Sequence, residues 1–308
     1  MKTKIIIGNS LDKLKHLQEQ SINTCITSPP YWGLRDYGES DQLGLEETPE
    51  EFVNNLVLLF REVKRVLRDD GTVWLNLGDS YSSGGRTTTT NQSLRGDKDY
   101  GVTRPKPAKN IKQKDLIGIP WRVAFALQQD GWYLRQDIIW HKPNPMPESV
   151  KDRCTKAHEY IFLLSKSPKY YFDNEAIKED AKFPDGPNSP QNIKKGKGGY
   201  GMDTRGGLSK IGALPKKNKR SVWTVTTKPF KGAHFATFPK DLIESCVLAG
   251  CPEGGTVLDP FGGSGTTGIV ANSHNRNAIL VELNPDYVDI MQARFTKELG
   301  IFSKTEII

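Results

Sequence analysis

A short apolar run, an acidic residue and a glycine-rich turn follow one another near the carboxyl end of the chain. Residues 256–258 are typical of a buried strand, and a helical pattern begins after the turn at Thr266. A strand, a tight glycine turn and a helix form the first unit of a nucleotide-binding α/β fold, because glycine permits positive φ and close ligand approach. Residues 278–282 predict a second buried strand that ends in Glu282, a carboxylate placed as for binding ribose hydroxyls.

The acidic residue distinguishes this turn from a dinucleotide site. Asp259 stands where a pyrophosphate would have to approach, and a carboxylate repels phosphate but attracts an ammonium group. With Glu282, the turn predicts a site for a cationic nucleoside such as S-adenosylmethionine. The glycines alone leave open a plain connector of any α/β protein. The cofactor-binding residues predicted in this region are Asp259, Pro260, Phe261, Gly262, Gly263, Ser264, Gly265, Thr266 and Glu282.

A proline pair follows a short predicted strand near the amino end, in the run Ser28-Pro29-Pro30-Tyr31. Two prolines stiffen a turn and remove backbone donors, so its carbonyl groups stay free to accept hydrogen bonds. The hydroxyl of Ser28 can accept from an exocyclic amine, and the ring of Tyr31 can stack on a planar base. Alone, a Pro-Pro-Tyr tripeptide indicates only a rigid turn.

Together the two runs resemble the amino-methylating DNA methyltransferases, the cytosine-N4 and adenine-N6 family. Residues 27–32 are similar to its catalytic (D/N/S)PP(Y/F) tetrapeptide, residues 259–265 to its methionine-binding loop, and Glu282 to its ribose-binding acid. The catalytic run precedes the cofactor loop here, which is the motif order of the family's beta group.

Two further segments belong to this resemblance. Residues 234–239 are similar to the segment that helps to enclose the cofactor, which assigns Phe238 to the cofactor site, and Thr27 is assigned there with it. Related members often carry Asp in an opening Gly-Asp-Ser step that contacts the cofactor adenine, whereas this chain has Asn9. An amide oxygen can still accept a hydrogen bond, so Asn9 is either a cofactor contact or an ordinary turn residue. Ser10 is predicted to cap the following helix.

The resemblance implies methyl transfer from S-adenosylmethionine to an exocyclic amine of double-stranded DNA, after the target base flips out. Ser28, Pro29, Pro30 and Tyr31 are then the catalytic residues, and no covalent enzyme–base intermediate is required. Serine before Pro-Pro is usual for cytosine-N4 members, whereas Asp or Asn is commoner for adenine-N6 members. Cytosine N4 is therefore favoured, adenine N6 is the alternative, and methylation of RNA or of a protein amide is a weaker one.

Basic residues gather in the middle of the chain, whose formal net charge is +7. Residues 182–231 hold twelve Lys and Arg residues against Asp185 and Asp203, a composition that suits phosphate contact. A solvated linker is the alternative interpretation. The nucleic-acid contacts predicted here are Lys194, Lys195, Lys197, Lys216, Lys217, Lys219 and Arg220.

Alternating strand and helix patterns favour an α/β fold that is Rossmann-like and doubly wound, with a mainly parallel sheet and helices on both faces. Residues 136–140 and 159–164 are predicted to pair antiparallel at a sheet edge. Residues 1–175 and 232–308 are predicted to form the catalytic and cofactor-binding halves of one methyltransferase domain, and residues 176–231 an inserted, irregular target-recognition region. Predicted helices span about residues 49–68, 116–129, 238–248 and 285–299, and a predicted strand spans 72–77.

Several classes of protein and site are disfavoured. No apolar run approaches a membrane span and the amino terminus lacks a signal-peptide pattern, so a cytoplasmic protein with no membrane partner is expected. The four cysteines lack metal-binding spacing, so no metal is expected. His141, Lys142, His158 and Glu159 lack a further ligand and are interpreted as structural or DNA-facing loop residues. A monomer or homodimer is expected, and the family allows a cognate restriction endonuclease as a partner.

Overall fold

The computed structural model describes residues 1–34, 39, 41–82, 111–181, 215–227, 238–300 and 304–308. The chain divides into two compact units, Met1–Phe172 with Ser221–Ile308, and Asp173–Arg220. Both predicted runs, around Ser28 and around Asp259, belong to the first unit.

Among the described residues, the first unit contains nine strands and six helices. The strands are β1 (Lys2–Ile7), β2 (Ile22–Thr27), β3 (Leu67–Leu77), β4 (Tyr133–His141), β5 (His158–Ser165), β8 (Val222–Thr224), β9 (Thr256–Asp259), β10 (Asn277–Glu282) and β11 (Lys304–Ile307). The helices are α1 (Ser10–Lys15), α2 (Pro49–Val66), α3 (Ile119–Gln129), α4 (Lys240–Gly250), α5 (Thr266–Ser273) and α6 (Pro285–Leu299).

The strands of the first unit form one sheet in the order β11-β1-β10-β9-β2-β3-β5-β4-β8. All neighbours from β11 to β3 run parallel, β5 runs antiparallel to both β3 and β4, and β8 runs parallel to β4. The mainly parallel sheet and the predicted antiparallel pair are confirmed. The pair does not end the sheet, because β8 adds one more strand outside β4. The carboxyl ends of β1, β2, β9 and β10 meet at one edge, where α/β sheets place their ligand sites.

Helices cover both faces of this sheet, as predicted. Alternate residues of β3 face opposite ways: Val73 and Leu75 join a core formed with α1, α2 and α3, whereas Trp74 faces Gly250 at the end of α4. Helices α5 and α6 contact each other and β1 and β10. In α2, the buried residues Phe52, Leu56, Phe60 and Val63 form the stripe that packs on the core, as its helical periodicity predicts.

Two element boundaries differ from the sequence prediction. Helix α2 ends at Val66, and β3 begins at Leu67, whereas the pattern predicted a helix to residue 68 and a strand from residue 72. The early part of β3 pairs with β2 through Leu67 and Ile22, and a register shift follows. Helix α3 begins at Ile119 rather than near residue 116, because the carboxylate of Asp79 accepts from the amides of Gly118 and Ile119 and so caps it there.

The second unit contains a short antiparallel pair, β6 (Glu179–Asp180) and β7 (Lys216–Lys217). Residues 182–214 lie outside the described part of the chain, and with them the predicted contacts Lys194, Lys195 and Lys197. The role of this unit in target recognition stays a prediction. In the described ranges, no helix combines the length and apolar character needed to cross a bilayer.

Candidate active site

The two predicted runs line one cavity of about 750 Å³ at the carboxyl edge of the sheet. Ser28, Pro29, Pro30 and Tyr31 form one part of its wall. The predicted cofactor residues that line it are Asn9, Phe238, Asp259, Pro260, Phe261, Gly262, Gly263, Ser264, Thr266 and Glu282. The late turn and the early turn therefore face a common space, although more than 200 residues separate them in sequence.

The charge of the cavity wall favours a cationic ligand. Six carboxylates line it, and the lining residues that the structure describes include no lysine or arginine. The acids are Glu39, Asp41, Glu46, Glu159, Asp259 and Glu282. Such a wall repels a bare phosphate and attracts an ammonium or sulfonium group.

Asp259 is almost completely buried and joins the two turns. Its Oδ1 accepts from the hydroxyl of Thr27 at 2.7 Å and from the amide of Phe261 at 3.0 Å, and its Oδ2 accepts from the hydroxyl of Thr267 at 2.5 Å. Burial raises the pKa of Asp259 to about 6, against the opposing effect of these three donors. Thr27 is thus placed behind the cavity wall, where it holds the carboxylate of Asp259.

Glu282 ends β10 on the same edge of the sheet. Its Oε2 accepts from the amide of Gly263 at 2.7 Å, and its Oε1 accepts from the amide of Asn284 at 3.0 Å. Burial raises the pKa of Glu282 to about 7, and the nearby charge of Asp259 raises it further, while the two amide bonds lower it. Each oxygen keeps a lone pair that can accept from a ligand hydroxyl.

The glycine turn is fixed from outside by a residue that the sequence analysis missed. Arg294 Nη1, on α6, donates to Ser264 O at 2.7 Å, to Ser264 Oγ at 2.8 Å and to Thr266 Oγ1 at 3.0 Å. Gly265 starts α5 with φ +78°, and a Cβ atom there would lie 2.9 Å from the ring of Phe295. Glycine is therefore required at Gly265 both by its backbone angle and by the close approach of α6.

Replacement of Arg294 by methionine should loosen this turn. Methionine keeps most of the aliphatic stem but leaves Ser264 and Thr266 without their shared donor. We expect a loss of about 1–3 kcal/mol in the free energy of unfolding, measured by urea titration. Arg61→Met is the matched control, since Arg61 is 59% exposed and pairs with Asp130 at the surface, where such a pair contributes at most about 1 kcal/mol. Equal effects of the two substitutions would show that Arg294 does not fix the turn.

The roles predicted for Asn9 and Ser10 are partly wrong. Asn9, not Ser10, is the N-cap of α1, because its Oδ1 accepts from the amide of Leu11 at 2.9 Å. Ser10 lies in the first turn of the helix and donates its hydroxyl to the carbonyl of Pro260 at 2.5 Å. Asn9 still lines the cavity, but one lone pair of its amide oxygen is already used. Ser10 is a second link between the amino-terminal helix and the late turn.

A polar network lies behind the proline turn. Tyr31 Oη donates to Glu159 Oε2 at 2.8 Å, and Ser28 Oγ lies 3.4 Å from Tyr31 Oη. Asn76 Nδ2 donates to Glu159 Oε2 at 3.0 Å and lies 3.3 Å from Tyr31 Oη. Lys142 Nζ forms an ion pair with Glu159 Oε1. Glu159 and Lys142, interpreted from sequence as structural or DNA-facing residues, are therefore part of the site.

The described cations of the second unit are partly neutralised within that unit. Glu179 pairs with Lys217 at 3.8 Å and with Arg220 at 3.3 Å. Glu179 precedes the basic block, so counting charge inside the block alone missed it. Contact of Lys216, Lys217, Lys219 and Arg220 with nucleic acid stays a prediction.

Comparison with known proteins assigns relatives to this arrangement. The family model described as DNA methylase, for N6 and N4 methyltransferases, matches residues 22–293. The chain is 49% identical over 291 residues to the Type II methyltransferase M.Cfr9I of Citrobacter freundii, covering 94% of this chain and 87% of that one. It is 48% identical over 297 residues to the Type II methyltransferase M.SmaI of Serratia marcescens, covering 96% and 91%.

Solved structures share the fold. The PvuII DNA methyltransferase (cytosine-N4-specific) superposes with a TM-score of 0.65 at 21% identity, covering 96% of this chain and 86% of that one. A DNA modification methylase of Thermus thermophilus, in complex with S-adenosyl-L-methionine, superposes with a TM-score of 0.61 at 23% identity, covering 99% of both chains. These likenesses support the Rossmann-like architecture.

Proposed function

This chain belongs to the DNA methylase family, and from that premise we propose that it methylates the N4 amine of cytosine in double-stranded DNA, with S-adenosylmethionine as methyl donor. The observation that carries the proposal is the common cavity of the Ser28 turn and the Asp259 turn. Its two ends suit two ligands: an acidic, glycine-rich end for a cationic nucleoside, and a proline turn with free acceptors for an amino group.

The cofactor end of the cavity fits S-adenosylmethionine by its chemistry. The carboxylate of Asp259 suits the ammonium group of the methionine moiety, the carboxylate of Glu282 suits ribose hydroxyls, and the rings of Phe238 and Phe261 offer apolar surface. When bound, S-adenosylmethionine supplies an electrophilic methyl group on its sulfonium. The lining set, with carboxylates and without described lysine or arginine, disfavours a phosphorylated cofactor.

The proline turn suits the target amine. An aromatic exocyclic amine is a poor nucleophile, because its lone pair is delocalised into the ring. Acceptance of its two hydrogens by Ser28 Oγ and the Pro29 carbonyl favours a pyramidal nitrogen and frees that lone pair. The base must leave the duplex to reach these groups, at a cost of a few kcal/mol. Correct placement of the amine for in-line attack supplies much of the rate.

The choice of cytosine rests on Ser28, since serine before Pro-Pro resembles the cytosine-N4 members of the family. The test is digestion of treated DNA to nucleosides after incubation with a donor that carries a deuterated methyl group. Mass spectrometry is expected to find deuterated N4-methylcytosine. Deuterated N6-methyladenine instead would transfer the assignment to adenine, and the absence of any labelled nucleoside would overturn the proposal.

We further propose that the basic residues of the second unit contact DNA phosphates and that the enzyme works beside a cognate restriction endonuclease. Two of the relatives are named Type II methyltransferases, which supports this pairing. DNA from cells that express the protein is expected to resist one restriction enzyme and to become sensitive again when Ser28 is replaced by alanine. The oligomeric state, monomer or homodimer, stays a prediction.

Cofactor binding is expected to weaken at acidic pH. The pKa values of about 6 for Asp259 and about 7 for Glu282 mean that the free protein takes up protons on both groups as pH falls from 8 to 6. Protonated carboxyls lose the charge and acceptor strength that the ligand needs. We expect the dissociation constant for S-adenosylmethionine to rise at least about tenfold between pH 8 and pH 6, since one pKa unit corresponds to a factor of ten.

Isothermal titration calorimetry across this pH range measures that change, and buffers of different ionisation enthalpy report the protons released on binding. Glu282→Gln binds more weakly but should show a flatter pH dependence, because it lacks the group with the higher pKa. A dissociation constant that stays level from pH 6 to pH 8 in the unmodified protein would contradict the assignment of these carboxyls.

A further inference from the structure

The hydroxyl of Ser28 begins a chain of side chains that ends in a carboxylate. Ser28 Oγ lies 3.4 Å from Tyr31 Oη, and Tyr31 Oη lies 2.8 Å from Glu159 Oε2. The first distance is long for two hydroxyls, as hydrogen bonds of catalytic groups often are before substrate binds. Ser28, Tyr31 and Glu159 all line the cavity.

The direction of the hydrogens in this chain follows from its ends. A carboxylate only accepts, so the hydrogen of Tyr31 points to Glu159. Asn76 Nδ2 donates to both Glu159 Oε2 and Tyr31 Oη, so the tyrosine oxygen has acceptor character on its other side. The hydrogen of Ser28 is then drawn to Tyr31, and the lone pairs of Ser28 Oγ stay free to accept from a substrate amine.

Neighbouring groups hold Glu159 and Tyr31 in place. The ion pair with Lys142 fixes the other oxygen of Glu159, and only 16% of the glutamate side chain is exposed. Antiparallel pairing of β3, β5 and β4 brings these residues together, with Leu77 opposite Tyr160 and His141 opposite His158. Gly78 makes room for the tyrosine, because a Cβ atom there would lie 2.5 Å from Tyr31 Cε2.

Methylation of an amine requires a final base, and serine is a poor one. The nitrogen lone pair forms the N–C bond while the C–S bond of the donor breaks and its electron pair stays on sulfur. The nitrogen then carries a positive charge, which is discharged by loss of one N–H proton. A neutral serine hydroxyl can accept a hydrogen bond from that group but cannot keep the proton, whereas a carboxylate can.

We propose, resting on the proposed function, that Glu159 receives this proton through Tyr31 and Ser28. The amine proton passes to Ser28 Oγ, the serine proton passes to Tyr31 Oη, and the tyrosine proton passes to Glu159 Oε2. Both hydroxyls are restored, the methylated amine is neutral, and the glutamate ends protonated and later releases its proton to solvent. Because positive charge develops on the nitrogen in the transition state, Glu159 also strengthens Ser28 as an acceptor before the proton moves.

The test combines Glu159→Gln and Tyr31→Phe in a double-mutant cycle. Each substitution keeps shape but interrupts the chain, at its end and in its middle. We expect each to lower the methyl-transfer rate at saturating DNA and cofactor by about 10²-fold, within the range of acid–base assistance. The Michaelis constants and the cofactor dissociation constant should stay within about twofold. The double variant should be no slower than the slower single variant, because a chain already cut cannot be cut again.

A purely structural role of Glu159 predicts a different pattern. Loss of its ion pair would then reduce the rate independently of Tyr31, and the two effects would multiply. Glu148→Gln is the matched control, since Glu148 pairs with Arg153 in the same β4–β5 connection but does not line the cavity, and full activity is expected.

Full activity of Glu159→Gln, or multiplied losses in the double variant, would overturn the proton path while leaving the methyltransferase assignment intact. Absence of methylated nucleoside with the unmodified protein would instead overturn the proposed function itself. If Glu159→Gln fails to fold, as judged by thermal unfolding and cofactor binding, Tyr31→Phe alone decides: an unchanged rate contradicts the path, and a rate lowered by about 10²-fold supports it.

Discussion

Replacement of Ser28 by alanine is expected to lower the rate of methyl transfer by about 10³-fold while cofactor affinity changes by less than about twofold. The hydroxyl is the acceptor that holds the amine and the first member of the path to Glu159, so its loss removes orientation and proton transfer together. The hydrogen bond of this hydroxyl to Tyr31 in the free protein is long, at 3.4 Å. The free energy of unfolding should therefore fall by less than about 1 kcal/mol.

Three measurements separate this outcome from simple damage to the fold. Quenched-flow transfer of labelled methyl gives the rate, calorimetry gives the cofactor dissociation constant, and thermal unfolding gives stability. Ser21→Ala serves as the control, because Ser21 is exposed and its hydroxyl donates to the carbonyl of Gln18 at the surface. A Ser28→Ala enzyme that transfers methyl at the unmodified rate would remove Ser28 from the mechanism, whatever its stability.

Much of the fold could be predicted because its central strands are apolar and its connections are helical. The strands around Cys25, Val73, Leu258 and Leu280 are buried on both faces and read as continuous apolar runs. The outermost strands escaped prediction for the opposite reason. Among the three residues of β8 only Trp223 is buried, and β11 is mostly exposed, so neither carries a hydrophobic pattern long enough to detect.

Trp223 itself was interpreted from sequence as a packing anchor, and this is confirmed. The ring is buried and lies 6.3 Å from that of Trp74, centroid to centroid. Local caps were harder to predict. Asn9 and Ser10 both favour an N-cap, and the choice between them depends on a tertiary contact, the hydrogen bond from Ser10 to Pro260 on the other half of the domain.

The two turns of the site were predictable because each is a compact run with an unusual composition. The residues that support them were not, since Asn76, Glu159 and Arg294 are single polar residues in ordinary surroundings. One signal was present. The predicted antiparallel pair places Lys142, just after one strand, beside Glu159, at the start of the next, and opposite charges at such a position indicate an ion pair.

Replacement of Asp259 by asparagine is expected to reduce the affinity for S-adenosylmethionine by about 10²-fold without destabilising the free protein. A charge-assisted hydrogen bond to the ligand ammonium group contributes about 1.5–3 kcal/mol, which corresponds to such a factor. The hydroxyls of Thr27 and Thr267 can rotate to accept from the new amide, so the contacts between the two turns survive.

The expected gain in stability at neutral pH gives this prediction a second readout. The pKa of Asp259 in the folded chain, about 6, lies above its ordinary value of 3.8, so the folded state holds the proton more tightly than the unfolded state. As pH rises from about 4 to about 6, the unmodified protein therefore loses stability from this group, and above pH 6 the full cost of the buried charge is present. Asparagine carries no charge, so the variant should lack this loss and should unfold at an equal or higher temperature at pH 8.

Differential scanning fluorimetry with and without S-adenosylmethionine measures both effects in one experiment. The unmodified protein should show a ligand-induced rise in melting temperature, and Asp259→Asn should lose most of that rise while keeping its melting temperature without ligand. Asp12→Asn is the control, because Asp12 is exposed and pairs with Lys15 on the surface of α1. A variant that melts earlier yet binds the donor as tightly as before would mean that Asp259 holds the two turns together and leaves the ligand to other groups. In that case the acidic wall formed by Glu282 and its neighbours would have to supply the attraction for the cation.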